Sequence, residues 1–436
     1  MSRRPSIAPL LIGTFIQRMN SGAGTIVYGL LLAQIATHTK HSITSLQVGL
    51  LPVVYYVAEL SLAPLMGSLS DRFGRRKFLV LGPLLGLVQA GLLIFTPIKD
   101  ALPYLLILQV FAGISSAITT PVVLGYLADF TAADQSRRMR VMSFYELVTS
   151  GGIAVGTVVG GLAWDRFRQQ AYILLAALYF VVAICMFLSP VVNQVVDRGT
   201  FTMVAKRYWS IIRTPRLFIF TPAWICISAL VGVWFGSQLT FILSNPVHNP
   251  HQVLMGSTSG PGSGHHISLI LGGYVLYFAL CLLFWAFFLN RVPRLRLMLT
   301  SIAGIFLVCI ALAGINHRGN DSLLFLWVAL LMIGVFAETS FAPAALAYLA
   351  DISEEAARDR GLLMGLYSIF LGLGQIIGSG FGGIFARAFG FDGLIYLTAL
   401  LGCIALPSLL WLARYERKSA PIYVQQHQKI RDSVTL

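Results

Sequence analysis

Three ionisable side chains, Arg18, Glu59 and Glu338, stand inside long apolar runs of a chain that otherwise avoids charge. Counted from the charged ends of their runs at 1.5 Å per residue, they lie roughly 15, 18 and 20 Å deep, so three segments bring a charge to about one level. A charge at the centre of a bilayer costs from about 2.5 kcal/mol upwards, so each needs a partner or a water-filled cavity. A carboxyl held there by a neighbouring cation can exchange a proton, and the cation can tune that exchange or hold an anion. The expected constellation is an Arg18–Glu59 pair between the first and second segments, Glu338 as a further carboxyl, and Gln17, Asn20 and Gln238 as cavity amides, with Gln109 and Gln375 as further candidates. No nucleophile–base pair, metal-ligand cluster or Walker motif accompanies them, so an enzyme, a metal, a cofactor and direct drive by ATP are not expected. The five cysteines, Cys185, Cys226, Cys281, Cys309 and Cys403, all fall in apolar runs without a CxxC and read as packing residues.

The elements that must position these groups follow from composition. Charged residues make up 11% of the 436, against roughly 25% in soluble domains. Mean hydropathy is +0.78, and no water-soluble fold could hide that much apolar surface. A bilayer core takes about 20 apolar residues per helix. Twelve segments meet that rule, near 8–36, 46–70, 78–97, 103–128, 141–163, 170–192, 217–243, 267–289, 297–315, 322–350, 361–386 and 393–413. The runs are continuous rather than alternating, so the expected class is an all-α polytopic membrane protein and not a β-barrel. The basic start MSRRPS precedes an apolar stretch too long for a signal peptide, so the first segment is expected to remain as a helix. With the N-terminus in the cytoplasm, 24 of the 31 lysines and arginines fall on the cytoplasmic side. Both termini are therefore expected there, in the cell membrane. The formal charge of +14 is spread over short loops, as topology signal and contact with anionic lipid, so nucleic acid is not an expected partner.

The sequence repeats itself. PVVLGYLADF at 121–130 matches PAALAYLADI at 343–352, an offset of 222, and the match runs on through Arg138 and Arg360 and through Gly152, Gly156, Gly160 and Gly161 onto Gly374, Gly378, Gly382 and Gly383. At an offset of 219, Asp71 and Arg72 fall on Asn290 and Arg291, and Arg75 on Arg294. The expected organisation is a six-helix bundle over 1–192, a cytoplasmic linker over 193–216, a second bundle over 217–413 and a cytoplasmic tail over 414–436. The long external loop 245–266, ending SGPGSGHH, reads as flexible. Parallel duplication about an axis along the membrane normal is how alternating-access carriers are built, with the solute between the halves.

Residues 67–77, GSLSDRFGRRK, resemble the G-x-L-x-D-R-x-G-R-[KR]-[KR] signature of the major facilitator superfamily, in its expected place between segments 2 and 3. A degraded second copy, NRVPRLR at 290–296, stands where that family would put one. The glycines Gly67 and Gly74 allow a tight turn and close helix approach, and Arg72, Arg75, Arg76 and Lys77 hold the loop in the cytoplasm. The resemblance implies that Asp71 faces the helix start at residues 360–362 and that Arg75 reaches Asp129, together latching the cytoplasmic side shut. Glu146, near the cytoplasmic end of segment 5, would join this inner gate. Asn290 and Pro293 replace the acid and glycine in the second copy, so the gating is expected to be asymmetric.

Gly152, Gly156 and Gly160 form one face of segment 5, and Gly374, Gly378 and Gly382 one face of segment 11. Such faces allow close packing, either static or sliding against the other half as the bundles rock. GTVVGG at 156–161 is similar to the G-P-x-x-G-G stretch of the family's drug/proton antiporters, with Thr157 in place of the proline. The expected function is a proton-coupled secondary transporter, a monomer with small-molecule substrate, protons and lipid as partners, exporting amphipathic or drug-like molecules. The alternative is a proton symporter taking up a small sugar or organic anion. A receptor or scaffold without turnover is a remote third, because a scaffold has no use for midplane charges.

Overall fold

The computed structural model describes residues 7–38, 43–130, 135–190, 213–245, 249, 251–260, 262–288, 292–317, 321–355 and 360–434. Among these residues there are α-helices, short 3-10 turns and no strand. The first half comprises α1 (Ala8–His38), α2 (Ser45–Phe73), α3 (Arg75–Leu93), α4 (Ala101–Phe130), α5 (Gln135–Phe167) and α6 (Ala171–Phe187). The second comprises α7 (Pro215–Trp234), α8 (Ser237–Ser244), α9 (Ser263–Phe288), α10 (Arg294–Asn316), α11 (Leu324–Glu338), α12 (Phe341–Glu355), α13 (Arg360–Phe389) and α14 (Phe391–Val434). Residues 193–212 of the expected linker lie outside the described residues.

Two of the twelve expected segments are broken. The seventh divides into α7 and α8 at Phe235 and Gly236, and the tenth into α11 and α12 at Thr339 and Ser340. In the tenth, the hydroxyls of Thr339 and Ser340 bond back to the carbonyls of Phe336 and Ala337 at 2.8 and 2.7 Å. Pro343 has no N–H to continue the ladder to the Thr339 carbonyl, so the helix restarts instead of running through. The twelfth overruns its expected end at 413 and continues to Val434.

Among the described residues ten stretches are long and apolar enough to cross a membrane, and one of them, Leu147–Phe187, joins the latter part of α5 to α6. The middle of α1 is less apolar because Thr14, Gln17, Arg18, Asn20 and Ser21 interrupt it. On the outside, Phe325, Phe287 and Phe95 leave 86%, 75% and 74% of their surface uncovered by protein, which suits lipid and not water. The chain is a multi-pass membrane protein.

The end at which α2 turns into α3 is here called the motif end, and the opposite one the far end. Within the first half α1 packs on α5 and α6, and α2 on α4; within the second α7 packs on α13 and α14. Between halves α2 meets α13, α5 meets α9 and α1 meets α8. This corrects the sliding role expected of the glycine faces. A side chain on Gly152 would meet the Phe15 carbonyl at 2.7 Å, one on Gly160 the Ala23 carbonyl at 2.6 Å, and one on Gly156 the Met19 carbonyl, all on α1 in the same half. Gly374 and Gly378 press on Ser228 and Ala229 of α7, again in their own half, while Gly382 has ordinary room. These faces fix the interior of each bundle. At the far end glycines also meet glycines across the halves, Gly49 with Gly383 and Gly161 with Gly264.

The loop after α8 is also more fixed than its composition suggests. Gln252 donates to the Phe389 carbonyl at 2.8 Å and to Asp392 at 3.0 Å, and accepts from the Phe391 N–H at 2.9 Å. Asn316 takes the N–H of Leu254 at 3.0 Å and donates to Asp392 at 2.8 Å, while His317 pairs with the same carboxylate at 2.9 Å. Side chains on α10 and α14 pin the middle of the loop, which glycine content alone does not reveal.

Candidate functional site

All six helices of the first half contribute to a cavity of about 240 Å³, which Phe235, Gly236 and Ser237 cover where α7 breaks from α8. Arg18, Gln17, Asn20 and Gln109 line it, as do six tyrosines, Tyr28, Tyr55, Tyr56, Tyr145, Tyr172 and Tyr179. Asn20 is buried, and its amide N–H donates to the Leu175 carbonyl at 3.0 Å, which turns its oxygen the other way. That oxygen and the Tyr172 hydroxyl have no hydrogen-bond partner among the described residues. Buried polar atoms left in this condition on a cavity wall suit water or a polar ligand.

Glu59 sits behind this wall. The Ser116 hydroxyl, from α4, donates to its Oε1 at 2.6 Å, and Tyr55, one turn earlier on α2, lies beside it. Arg18 lies against the Tyr145 hydroxyl of α5 and within electrostatic reach of Tyr55 and Glu59. The direct Arg18–Glu59 ion pair expected from the sequence is not formed: among the described residues the pair within 4 Å is His317–Asp392 at the far end. The reason is rotational. Arg18 lies on the face of α1 that packs on Gly152 of α5, so its guanidinium is led to Tyr145, and Ser116 takes the carboxylate.

Glu338 is not brought to this opening. It ends α11 within electrostatic reach of Tyr274 on α9 and Cys309 on α10, and it does not line the cavity. Tyr274 in turn stacks near Phe235 and Phe278, with ring centres 5.5 and 6.1 Å away, so an aromatic group separates Glu338 from the cavity roof. Gln238, on α8, is buried away from the cavity, and neither of its amide atoms has a hydrogen-bond partner among the described residues.

At the motif end, Asp71 belongs to the last turn of α2, and Gly74 makes the turn into α3 with a φ of +94°, a region that favours glycine. Gly67 does not mark a close approach, because a side chain there would stand 3.8 Å from Pro121. Arg72 is exposed, whereas Arg75 is buried as the first residue of α3. Arg76 ties α3 to α6 by donating to the Phe187 carbonyl at 2.6 Å and lying 4.4 Å over its ring. The side chains of Asp71, Asp129, Glu146 and residues 360–362, on which the expected latch depends, lie outside the described residues.

The sequence reading missed the tyrosines and the polar face of α4. Ser115, Ser116, Thr119 and Thr120 all line the cavity, and their i, i+4 pairs inside an apolar run were a readable signal of one inward face.

The family profile described as Major Facilitator Superfamily matches residues 10–260 and 251–432, which is nearly the whole chain. The chain belongs to the Major Facilitator Superfamily. It is 32% identical over 132 residues to the bacillibactin exporter of Bacillus subtilis, covering 29% of this chain and 33% of that protein. It is 31% identical over 160 residues to the class B tetracycline resistance protein of Escherichia coli, covering 35% and 38%. The chain thus spans about a third of the length of these curated relatives. The crystal structure of the nucleoside transporter NupG superposes with a TM-score of 0.71 over 93% of this chain and 98% of that one, at 14% identity, which is a likeness of fold.

Proposed function

We propose that this superfamily member is a proton-coupled exporter of small amphipathic compounds that carry aromatic and hydroxyl groups, working by alternating access, with Glu59 as the proton carrier. The observation that supports this most is the Ser116–Glu59 hydrogen bond just behind the wall of a tyrosine-lined cavity. While Glu59 is ionised, the Ser116 hydroxyl points at it and presents its lone pairs to the cavity. Once Glu59 is protonated it becomes the donor, Ser116 turns its hydrogen toward the cavity, and the wall changes from acceptor to donor. A substrate that donates at this point binds one protonation state better than the other, which is the physical requirement for exchange of substrate against proton. Arg18 stands within electrostatic reach of the carboxylate without pairing with it. Export is favoured by the similarity to the bacillibactin exporter and the tetracycline resistance protein, which is partial in length.

A second reading is uptake of an organic anion together with a proton. It is favoured by the same placement of Arg18, which has no carboxylate within ion-pair distance among the described residues and could take one from a substrate. Purified protein in liposomes, given an imposed pH gradient and a panel of dyes, sugars and organic acids, separates the two. Proton flux opposite to the solute is the expected result; flux in the same direction establishes uptake, and solute movement indifferent to pH removes proton coupling altogether.

A further inference from the structure

The far end of the molecule is closed by a contact that the sequence reading did not single out. Asp165, near the C-terminal end of α5, accepts the backbone N–H of Gly264 at 3.0 Å with one carboxylate oxygen and that of His265 at 2.7 Å with the other. These are N–H groups of the first turn of α9, in the opposite half. A helix start leaves its first N–H groups without intrahelical partners and carries partial positive charge, so it needs an acceptor, and an anion serves best. The chain supplies none locally: Gly262, just before α9, has no side chain and a φ of +78°. The cap therefore comes from the other bundle. The approach is set one turn earlier on α5, where Gly161 is so close to α9 that a side chain there would meet the Gly264 carbonyl and Ser268. On the opposite flank, Gly49 of α2 and Gly383 of α13 meet in the same way, so the halves touch backbone to backbone across the far end.

We propose that Asp165 is the far-end latch of the transport cycle: its carboxylate caps α9 while the far side is closed, and release of that cap is a required step in opening it. The device is the one the superfamily resemblance implies for Asp71 at the motif end, a carboxylate on the start of a helix in the other half. The two latches would then engage alternately. Asp165 is a positioning residue, because it touches the gate and not the substrate. The inference rests on the alternating-access reading, but not on which solute is carried or in which direction.

Spin-label distances test it in the full chain, with the five cysteines replaced and labels at Arg168 and Arg387 for the far end, or at Lys77 and Arg296 for the motif end. In Asp165→Ala the far-open population is expected to rise on the order of a hundredfold, since two hydrogen bonds to a charged group are lost. The far-end distance lengthens as the motif-end distance shortens. Asp71→Asn is expected to shift both distances the other way, and the double variant to return toward the parent. If Asp165→Ala does not fold, Gly161→Ala, which wedges α5 from α9, is expected to move the populations in the same direction. Parent-like distributions in the Asp165 and Gly161 variants, while Asp71→Asn shifts them, overturn the latch. Distances fixed at both ends in every variant overturn alternating access itself, and the latch with it.

Discussion

In the first half, Glu59 of α2 meets Ser116 of α4 with Tyr55 beside it. At the offsets that relate the repeats, the second half has Phe278 for Glu59, Glu338 for Ser116 and Tyr274 for Tyr55. The acid has thus changed helix while the tyrosine has stayed. The backbones differ accordingly. Gly113 lets α4 lie against α2, where a side chain would meet the Tyr55 carbonyl at 2.5 Å; its counterpart is Val335. In the second half long side chains of α9 reach α11, as Tyr277 donates to the Met332 carbonyl at 2.9 Å and Trp285 to that of Phe336 at 2.7 Å. One copy holds its carboxyl at a cavity wall and the other buries it behind aromatic rings. Duplication supplied the frame, and divergence at a few positions left the proposed proton carrier, Glu59, in the first half alone.

That division can be broken by exchanging its parts. The largest effect is expected for Glu59→Gln, which should lower pH-driven transport at least about a hundredfold at near-normal expression, the loss of a group acting directly in the cycle. Glu338→Gln should stay within a few-fold of the parent, and equal losses in the two variants would erase the distinction between halves. Ser116→Ala should reduce coupling about tenfold, roughly one hydrogen bond to a charged group, and displace the pH profile of transport. Gly113→Val, which writes the second half's residue into the first, should cost about 1–3 kcal/mol by overpacking, read as a lower melting temperature together with weaker transport. Asn316→Ala, at the far-end loop anchor, should cost about 1–3 kcal/mol of stability by leaving buried partners unsatisfied, with the proton-to-solute ratio unchanged.

The sequence shows some of this directly and hides the rest for definable reasons. The turn at Gly74 was readable because charge, glycine and position between two apolar runs agree. That Arg18, Glu59 and Glu338 stand within or at the end of long helices was readable too, since apolar runs can be counted along an axis. Rotation about that axis was not, which is why Glu338 was expected at an opening shared with Arg18 and Glu59 and lies by Tyr274 instead, off the cavity lining. The glycine spacing on α5 and α13 identified a close-packed face but could not say which neighbour fills it. Asp165 gave no sign at all, because the groups it caps are backbone N–H groups nearly a hundred residues away.

The central claim is that Glu59, and not Glu338, changes protonation during the cycle. Infrared difference spectra of the protein in lipid across a pH step read this most directly, through the carboxyl C=O band. The account predicts a band that vanishes in Glu59→Gln and persists in Glu338→Gln; a band unchanged in Glu59→Gln would contradict it.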